Sequence, residues 1–307
     1  MASRQLLDQL CAQVVGRRRE LELVLAALDA DRHVLLEGPP GTGKSTVLRA
    51  VASGLGIGFE FVEGNAELTP ARLVGHFDPA RVMTQGYDPE VFVDGPLVTA
   101  LRDGSLLYVE EINRIPEETL NVLITVMSEG EIHVPRLGRV TATSGFRLVA
   151  AMNPFDAVGT ARISAAVYDR VCRVSMGYQI SAEEKEIVER KMTRGNLDAV
   201  WIDGVVEVVR RTRTHPDLRV GSSVRGAVDT VLVAQSLAEL RGQVASQPSV
   251  SLDAALVALS GRVRVREGCN RTAEDIVTQI WQDVFGRADG ENSAGKVGAP
   301  SGATNSL

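Results

Sequence analysis

The 307-residue chain is 44% hydrophobic and 23% charged, enough apolar content for two packed domains and too little charge for wholesale disorder. Its formal net charge of -6 gives no global pull toward nucleic acid or anionic lipid, which counts against a nonspecific DNA motor. No apolar run approaches the ~18 residues of a membrane span. Asp8, Arg17, Arg18, Arg19 and Glu20 stand where a secretory signal needs an apolar core, so cytoplasmic residence is expected. Cys11, Cys172 and Cys269 are odd in number and widely spaced, the pattern of buried free thiols and not of a disulfide framework or structural zinc.

From residue 33 to about 177, short β-rich runs alternate with helical periods, the pattern of an α/β fold with a parallel sheet between helices. Strands are predicted at His33–Glu37, Phe59–Glu63, 105–110, 147–151 and 173–176. Lys44–Leu55, apolar at Val47, Leu48, Val51 and Leu55, predicts a helix. Thr69-Pro70 reads as an N-cap followed by proline at the first helical position. Glu131–Val134 and 139–142 flank a 135–138 turn and predict a hairpin. Beyond Ser181 the strand signals stop. Helical spacing at 181–193, 198–214, 223–240, 252–265 and 273–285 predicts a small all-α domain over 181–286, with Ser181, Ser251 and Thr272 as N-caps. Residues 287–307 are rich in Gly, Ala, Ser and Asn, and a disordered tail is expected there. No fixed-period repeat is present.

Two stretches carry phosphate chemistry. Gly38, Pro39, Pro40, Gly41, Thr42, Gly43, Lys44 and Ser45 fit G-x-x-x-x-G-K-[ST] between a buried strand and a helix. The glycines let backbone N–H groups wrap an anion, and the helix N-terminus adds positive potential. Lys44 reaches the outer phosphates, and the Ser45 hydroxyl can ligate Mg²⁺. The second stretch, Leu106-Leu107-Tyr108-Val109-Glu110-Glu111, ends a hydrophobic strand in two carboxylates. Beside a phosphate loop, Glu110 can hold Mg²⁺ or its water, and Glu111 can orient and deprotonate an attacking water.

The loop together with Glu111-Ile112-Asn113-Arg114 resembles the AAA+ ATPases, and within them the MoxR family with its D-E-I-N-R signature. Gly95-Pro96-Leu97 is similar to that family's G-P-[LI] segment. Val14-Val15-Gly16, followed by Arg17 through Glu20, is similar to the AAA+ segment that packs on adenine, which implies nucleotide contacts at Val15 and Gly16 beside Thr46 after the loop. The resemblance covers residues 10 to 285. One departure is Glu110, where the family usually has Asp; the added methylene moves the carboxylate by ~1.5 Å.

The resemblance implies an AAA+ core with a parallel five-stranded sheet over 1–180, followed by the helical lid. It further implies an insert in the second helix, a hairpin at about 75–93, and a hairpin at 131–142. In related rings these hairpins face the pore or a partner; plain surface hairpins are the alternative. Asn153 resembles sensor 1, where a neutral amide can hydrogen-bond the γ-phosphate. Gly221 through Arg225 resembles sensor 2. If Ser222 or Ser223 caps the next helix, Arg225 sits against the helix dipole, which suggests an anion nearby. Asp169-Arg170-Val171 resembles the family's D-R-F tripeptide, so Arg170, with Arg162 as the alternate, is the expected arginine finger reaching a neighbouring subunit. A finger in trans implies a homo-oligomer, expected as a hexameric ring. ATP and Mg²⁺ are the implied cofactors, and a protein with a von Willebrand factor A-type domain is the implied partner. The resulting function is chaperone-like remodelling or maturation of a partner complex driven by ATP hydrolysis. The alternatives are a nucleotide-gated binding module with incidental turnover and a nucleic-acid motor, the latter disfavoured by the acidic balance.

Overall fold

The computed structural model describes residues 3–154, 164–192 and 197–293. The chain divides into two compact units, Met1–Tyr178 and Gln179–Leu307. No helix among the described residues is long and apolar enough to cross a membrane.

In the first unit, α1 (Arg4–Gln13) and α2 (Arg18–Asp29) lead to β1 (His33–Glu37), α3 (Lys44–Leu55) and β2 (Phe59–Glu63). Then come α4 (Pro70–Val74), β3 (Gly75–Phe77), α5 (Pro79–Gln85), β4 (Phe92–Asp94), α6 (Pro96–Asp103), β5 (Leu106–Glu110) and α7 (Glu117–Glu129). The unit closes with β6 (Glu131–Val134), β7 (Gly138–Thr141), β8 (Arg147–Met152), α8 (Ala165–Tyr168) and β9 (Val171–Ser175). Five strands form one sheet in the order β2-β5-β8-β1-β9, and every pairing in it is parallel. These are the five predicted strands with small shifts. The largest is at β9, which begins at Val171 because its pairing places that residue opposite His33; the neighbour's register, not its own alternation, sets its ends.

Side chains alternate between the two faces of the sheet. Val34, Leu36, Leu106, Tyr108, Val149 and Ala151 pack with α1, α2 and α3 residues. Leu35, Leu107, Val109, Leu148, Ala150 and Met152 pack on the other side with α6 and α7 residues. With both faces covered, the strands read as continuous apolar runs, as parallel strands do. The insert hairpin exists as β3 paired with β4, Gly75 opposite Asp94. Between its strands lies α5, absent from the sequence reading although Asp78 caps it with Pro79 in the first turn. Thr69 caps α4, its Oγ1 accepting from Arg72 N–H at 3.3 Å. The second hairpin pairs Glu131 with Thr141.

The second unit holds α9 (Ser181–Lys191), α10 (Ala199–Thr212), β10 (Leu218–Val220), α11 (Val224–Arg241), α12 (Pro248–Leu259), β11 (Arg264–Val265) and α13 (Ala273–Ser293). It is not all helix: β10 and β11 form a two-stranded antiparallel ribbon, too short to leave a period-2 signal. Two expected caps are corrected. Ile180 holds the N-cap position of α9, its N–H donating to Glu183 Oε2 at 3.1 Å. Ser251 lies inside α12, which begins at Pro248 because proline is pre-shaped for the first turn. Thr272 is a cap: its Oγ1 accepts from Asp275 N–H at 3.1 Å, and Asp275 Oδ2 accepts from Thr272 N–H at 3.0 Å. Helix α13 runs on to Ser293, into the span expected as a tail, since extending a formed helix is far easier than nucleating one; 294–307 lie outside the described residues. The three cysteines are free thiols but not buried ones: Cys172 is exposed, and Cys11 and Cys269 are half-buried.

Ser251 is buried, and its Oγ accepts from the indole N–H of Trp201 at 2.9 Å and of Trp281 at 3.2 Å. One hydroxyl thus satisfies two buried donors and ties α10, α12 and α13 together. Ser251→Ala leaves both unsatisfied, at about 1–3 kcal/mol for each such group. Urea unfolding of this variant is expected to show a loss of about 2–4 kcal/mol; a change within about 0.5 kcal/mol contradicts the assignment.

Candidate functional site

The predicted loop leaves the C-terminal end of β1 and enters α3 at Lys44. Gly43, at φ 87°, takes the left-handed conformation that only glycine adopts without strain. Gly38 is required for a different reason: a Cβ there would lie 2.2 Å from the Met176 carbonyl oxygen. Side chains hold the loop's carbonyls. Lys44 Nζ donates to the Gly38 oxygen at 2.8 Å and to the Pro39 oxygen at 3.0 Å. Thr42 Oγ1 donates to the Pro39 oxygen at 2.9 Å. Arg17, 3% exposed, reaches the Thr42 oxygen at 2.8 Å and the Gly177 oxygen at 2.7 Å, while its Nη1 bonds Glu20 at 2.9 Å. The N-terminal segment is therefore fastened to the loop, with Val15 buried and Gly16 at φ 64° just before Arg17. Pro40 and Thr46 are exposed, and Gly41 is half-buried.

On β5, period-2 alternation sends Tyr108 and Glu110 toward α3. Glu110 Oε1 stands 3.1 Å from Ser45 Oγ, and the Tyr108 hydroxyl stands 3.2 Å from the same atom. Tyr108 is fully buried between Phe59 and Phe61. Burial pushes its pKa far up, only partly offset by the bond to Ser45, so it stays a neutral donor. The chain of bonds then runs from the Tyr108 O–H to Ser45 and from the Ser45 O–H to the Glu110 carboxylate. Glu111 follows in the left-handed region at φ 52°, ψ 46°, a strain of about 1–2 kcal/mol for a side-chain-bearing residue. Such strain gathers at functional turns. Its Oε2 pairs with Arg114 Nε at 3.0 Å, and Gly64 N–H donates to the Glu110 carbonyl at 2.7 Å.

Asn153 follows Met152, the last residue of β8. Because β8 lies between β5 and β1, the loop, the two carboxylates and Asn153 all sit at the C-terminal ends of three adjacent strands, where ligands of open α/β sheets bind. Arg170 follows α8 in the same unit, its Nε bonded to Ser128 Oγ and its Nη1 to the Ala166 oxygen at 2.8 Å. Arg162 lies outside the described residues. Arg225 belongs to the second unit, exposed in the first turn of α11; Ser223 is at the N-cap position without a side-chain bond.

Sequence reasoning missed Arg17 and Tyr108 as parts of this site. In the sequence Arg17 is one of three consecutive arginines with nothing to single it out, and Tyr108 fits the apolar run of its strand; its place two residues before an acid, on the same face, is the available signal. The oxygens present fit Mg²⁺. An octahedral ion bound at 2.0–2.1 Å sets adjacent ligand oxygens roughly 2.9 Å apart, close to the 3.1 Å between Ser45 Oγ and Glu110 Oε1. The longer Glu side chain thus reaches Ser45. Among the described residues no group of three His, Cys, Asp or Glu could hold a metal ion.

The profile of the AAA domain (dynein-related subfamily) matches residues 33–171. Bacillus subtilis YeaC is 29% identical over 253 residues, covering 74% of this chain and 76% of its own. Chaperone MoxR1 of Mycobacterium tuberculosis is 29% identical over 266 residues, covering 75% and 67%. A Cytophaga hutchinsonii protein taken to be an ATPase superposes with a TM-score of 0.52 at 19% identity, over 92% of this chain and 93% of that one. NtrX of Brucella abortus, solved in complex with ADP, superposes with a TM-score of 0.51 at 18% identity, over 78% and 51%. The chain is thus similar to the AAA domain (dynein-related subfamily) over residues 33–171 and to a MoxR chaperone over 75% of its length, and its fold is that of the solved structures above.

Proposed function

We propose that this chain hydrolyses ATP as a subunit of a hexameric ring in the cytoplasm and uses the cycle to remodel or mature a partner protein complex. The observation that carries the reading is the Ser45–Glu110 contact of 3.1 Å beside a phosphate loop, with the strained Glu111 next in the chain. Likeness to a chaperone supports remodelling, and the ADP complex of a protein of the same fold supports an adenine nucleotide. A partner with a von Willebrand factor A-type domain fits the family resemblance.

Each group then has a task. Lys44 exchanges its hold on loop carbonyls for phosphate oxygens, and Ser45 and Glu110 would hold Mg²⁺, which would supply charge neutralisation on the phosphates. Glu111 takes the proton of the attacking water while Asn153 orients it. Arg170, or Arg162, completes the site of the next subunit.

Glu111→Gln keeps the hydrogen-bonding shape and loses the base. It is expected to bind ATP with wild-type affinity, to lose turnover by at least about a hundredfold, and to lose client remodelling with it. Retained client activity contradicts the reading and favours a nucleotide-gated module. A second expectation concerns Tyr108→Phe, which removes the donor that orients Ser45. One hydrogen bond of about 0.5–1.5 kcal/mol translates to roughly three- to tenfold weaker ATP binding in the presence of Mg²⁺. Binding in EDTA should be unchanged; equal loss in both conditions contradicts a role in orienting Ser45.

A further inference from the structure

Glu37, the last residue of β1, has no task in the chemistry above, yet it is a carboxylate only 8% exposed. A buried carboxylate needs partners, and both of its partners come from the stretch that carries Arg170. The Tyr168 hydroxyl donates to Glu37 Oε1 at 2.9 Å, and Arg173 Nε pairs with Oε2 at 2.9 Å. Tyr168 ends α8 two residues before Arg170, and Arg173 lies on β9 three residues after it. Burial first, then the bond and charge of Glu37, raise the Tyr168 pKa, so its hydroxyl remains a donor at neutral pH.

The backbone is tied at the same point. Met176 N–H donates to the Glu37 carbonyl at 2.7 Å, and Gly38 N–H donates to the Met152 carbonyl at 3.2 Å. Glu37 and Gly38 are thus bonded on one side to the strand that delivers Asn153 and on the other to the strand that follows Arg170. Gly38 opens the phosphate loop, so a shift of the loop on nucleotide binding is felt at the Glu37 carboxylate. Arg170, by contrast, is held by two neutral oxygens, Ser128 Oγ and the Ala166 carbonyl, and by a loose 3.9 Å contact with Asp169. Such contacts can be exchanged for a phosphate at small cost, provided the backbone beneath is held in place.

We infer that Tyr168 is a positioning residue for Arg170, acting through Glu37. The bond from Tyr168 to Glu37 makes the placement of a subunit's arginine finger depend on the phosphate loop of that same subunit. The inference rests on the trans-finger reading of Arg170. Its consequence is directional: occupancy of one site tunes hydrolysis at the neighbour that receives the finger.

Tyr168→Phe removes the hydroxyl and keeps the ring. The variant is expected to stay folded, with a melting temperature lowered by a few degrees because the Glu37 carboxylate loses a donor, and to match wild type in fluorescent-ADP affinity. Its KM for ATP should change by less than about twofold, while kcat falls about tenfold through misplacement of the finger. Glu111→Gln subunits bind ATP and retain their own Tyr168 and Arg170, so mixing them in should restore turnover per Tyr168→Phe subunit. Arg170→Ala is run alongside and should be restored in the same way. Wild-type kcat for Tyr168→Phe overturns the inference, as does restoration of Arg170→Ala without restoration of Tyr168→Phe, an outcome that leaves the trans finger standing. Failure to restore Arg170→Ala overturns the trans finger and this inference with it.

Discussion

A phosphate loop must present N–H groups to an anion, and its carbonyls must be turned away and satisfied elsewhere. In this chain the first half of the loop cannot supply N–H groups, because Pro39 and Pro40 have none. The carbonyls of Gly38 and Pro39 are accordingly bound by Lys44 and Thr42, and that of Thr42 by Arg17. Since the peptide unit is planar and trans, fixing the Thr42 carbonyl also fixes the Gly43 N–H that points the opposite way. The donors fall to the second half, from Gly41 to Ser45, at the start of α3 where the helix dipole adds to them. The buried Arg17 and the missing side chain of Gly38 follow from this constraint.

The sheet divides the remaining work by its two faces. Tyr108 and Glu110 share the face under α3 and meet Ser45. Glu37, on the opposite face, meets Tyr168 near Met152. The carboxylate proposed to hold the ion and the carboxylate proposed to act on Arg170 thus stand on opposite faces of one sheet. Both carboxylates stand at the C-terminal ends of strands, Glu110 on β5 and Glu37 on β1.

Much of this was legible in the sequence because it is local. The apolar run of β1, the loop and the helical spacing of α3 fixed those bounds without tertiary help, and the cap at Thr69 needed only its own turn. Ser45 and Glu110, far apart in the chain, were legible as neighbours through the ion that both are expected to hold, whereas long-range contacts outside any motif were not: Arg17 meets Gly177, and Tyr168 meets Glu37. Ser251, a serine before an apolar run, has the sequence pattern of a cap, whereas two distant indoles claim its hydroxyl. The ribbon of β10 and β11 was invisible because three and two residues carry no period. Glu111's left-handed backbone has no sequence signal either, since glycine or asparagine would ordinarily mark that conformation.

The central claim is that each catalytic site is completed by a neighbouring copy of the chain, with Lys44, Glu110 and Glu111 from one subunit and Arg170 from the next. Phosphate release from ATP with Mg²⁺, measured per subunit while the protein concentration is raised through the range in which the chain assembles, tests it most directly. The account predicts specific activity that rises with concentration and levels off as assembly completes, in step with the mass measured by light scattering. Specific activity that stays constant from monomer to assembled protein would contradict it.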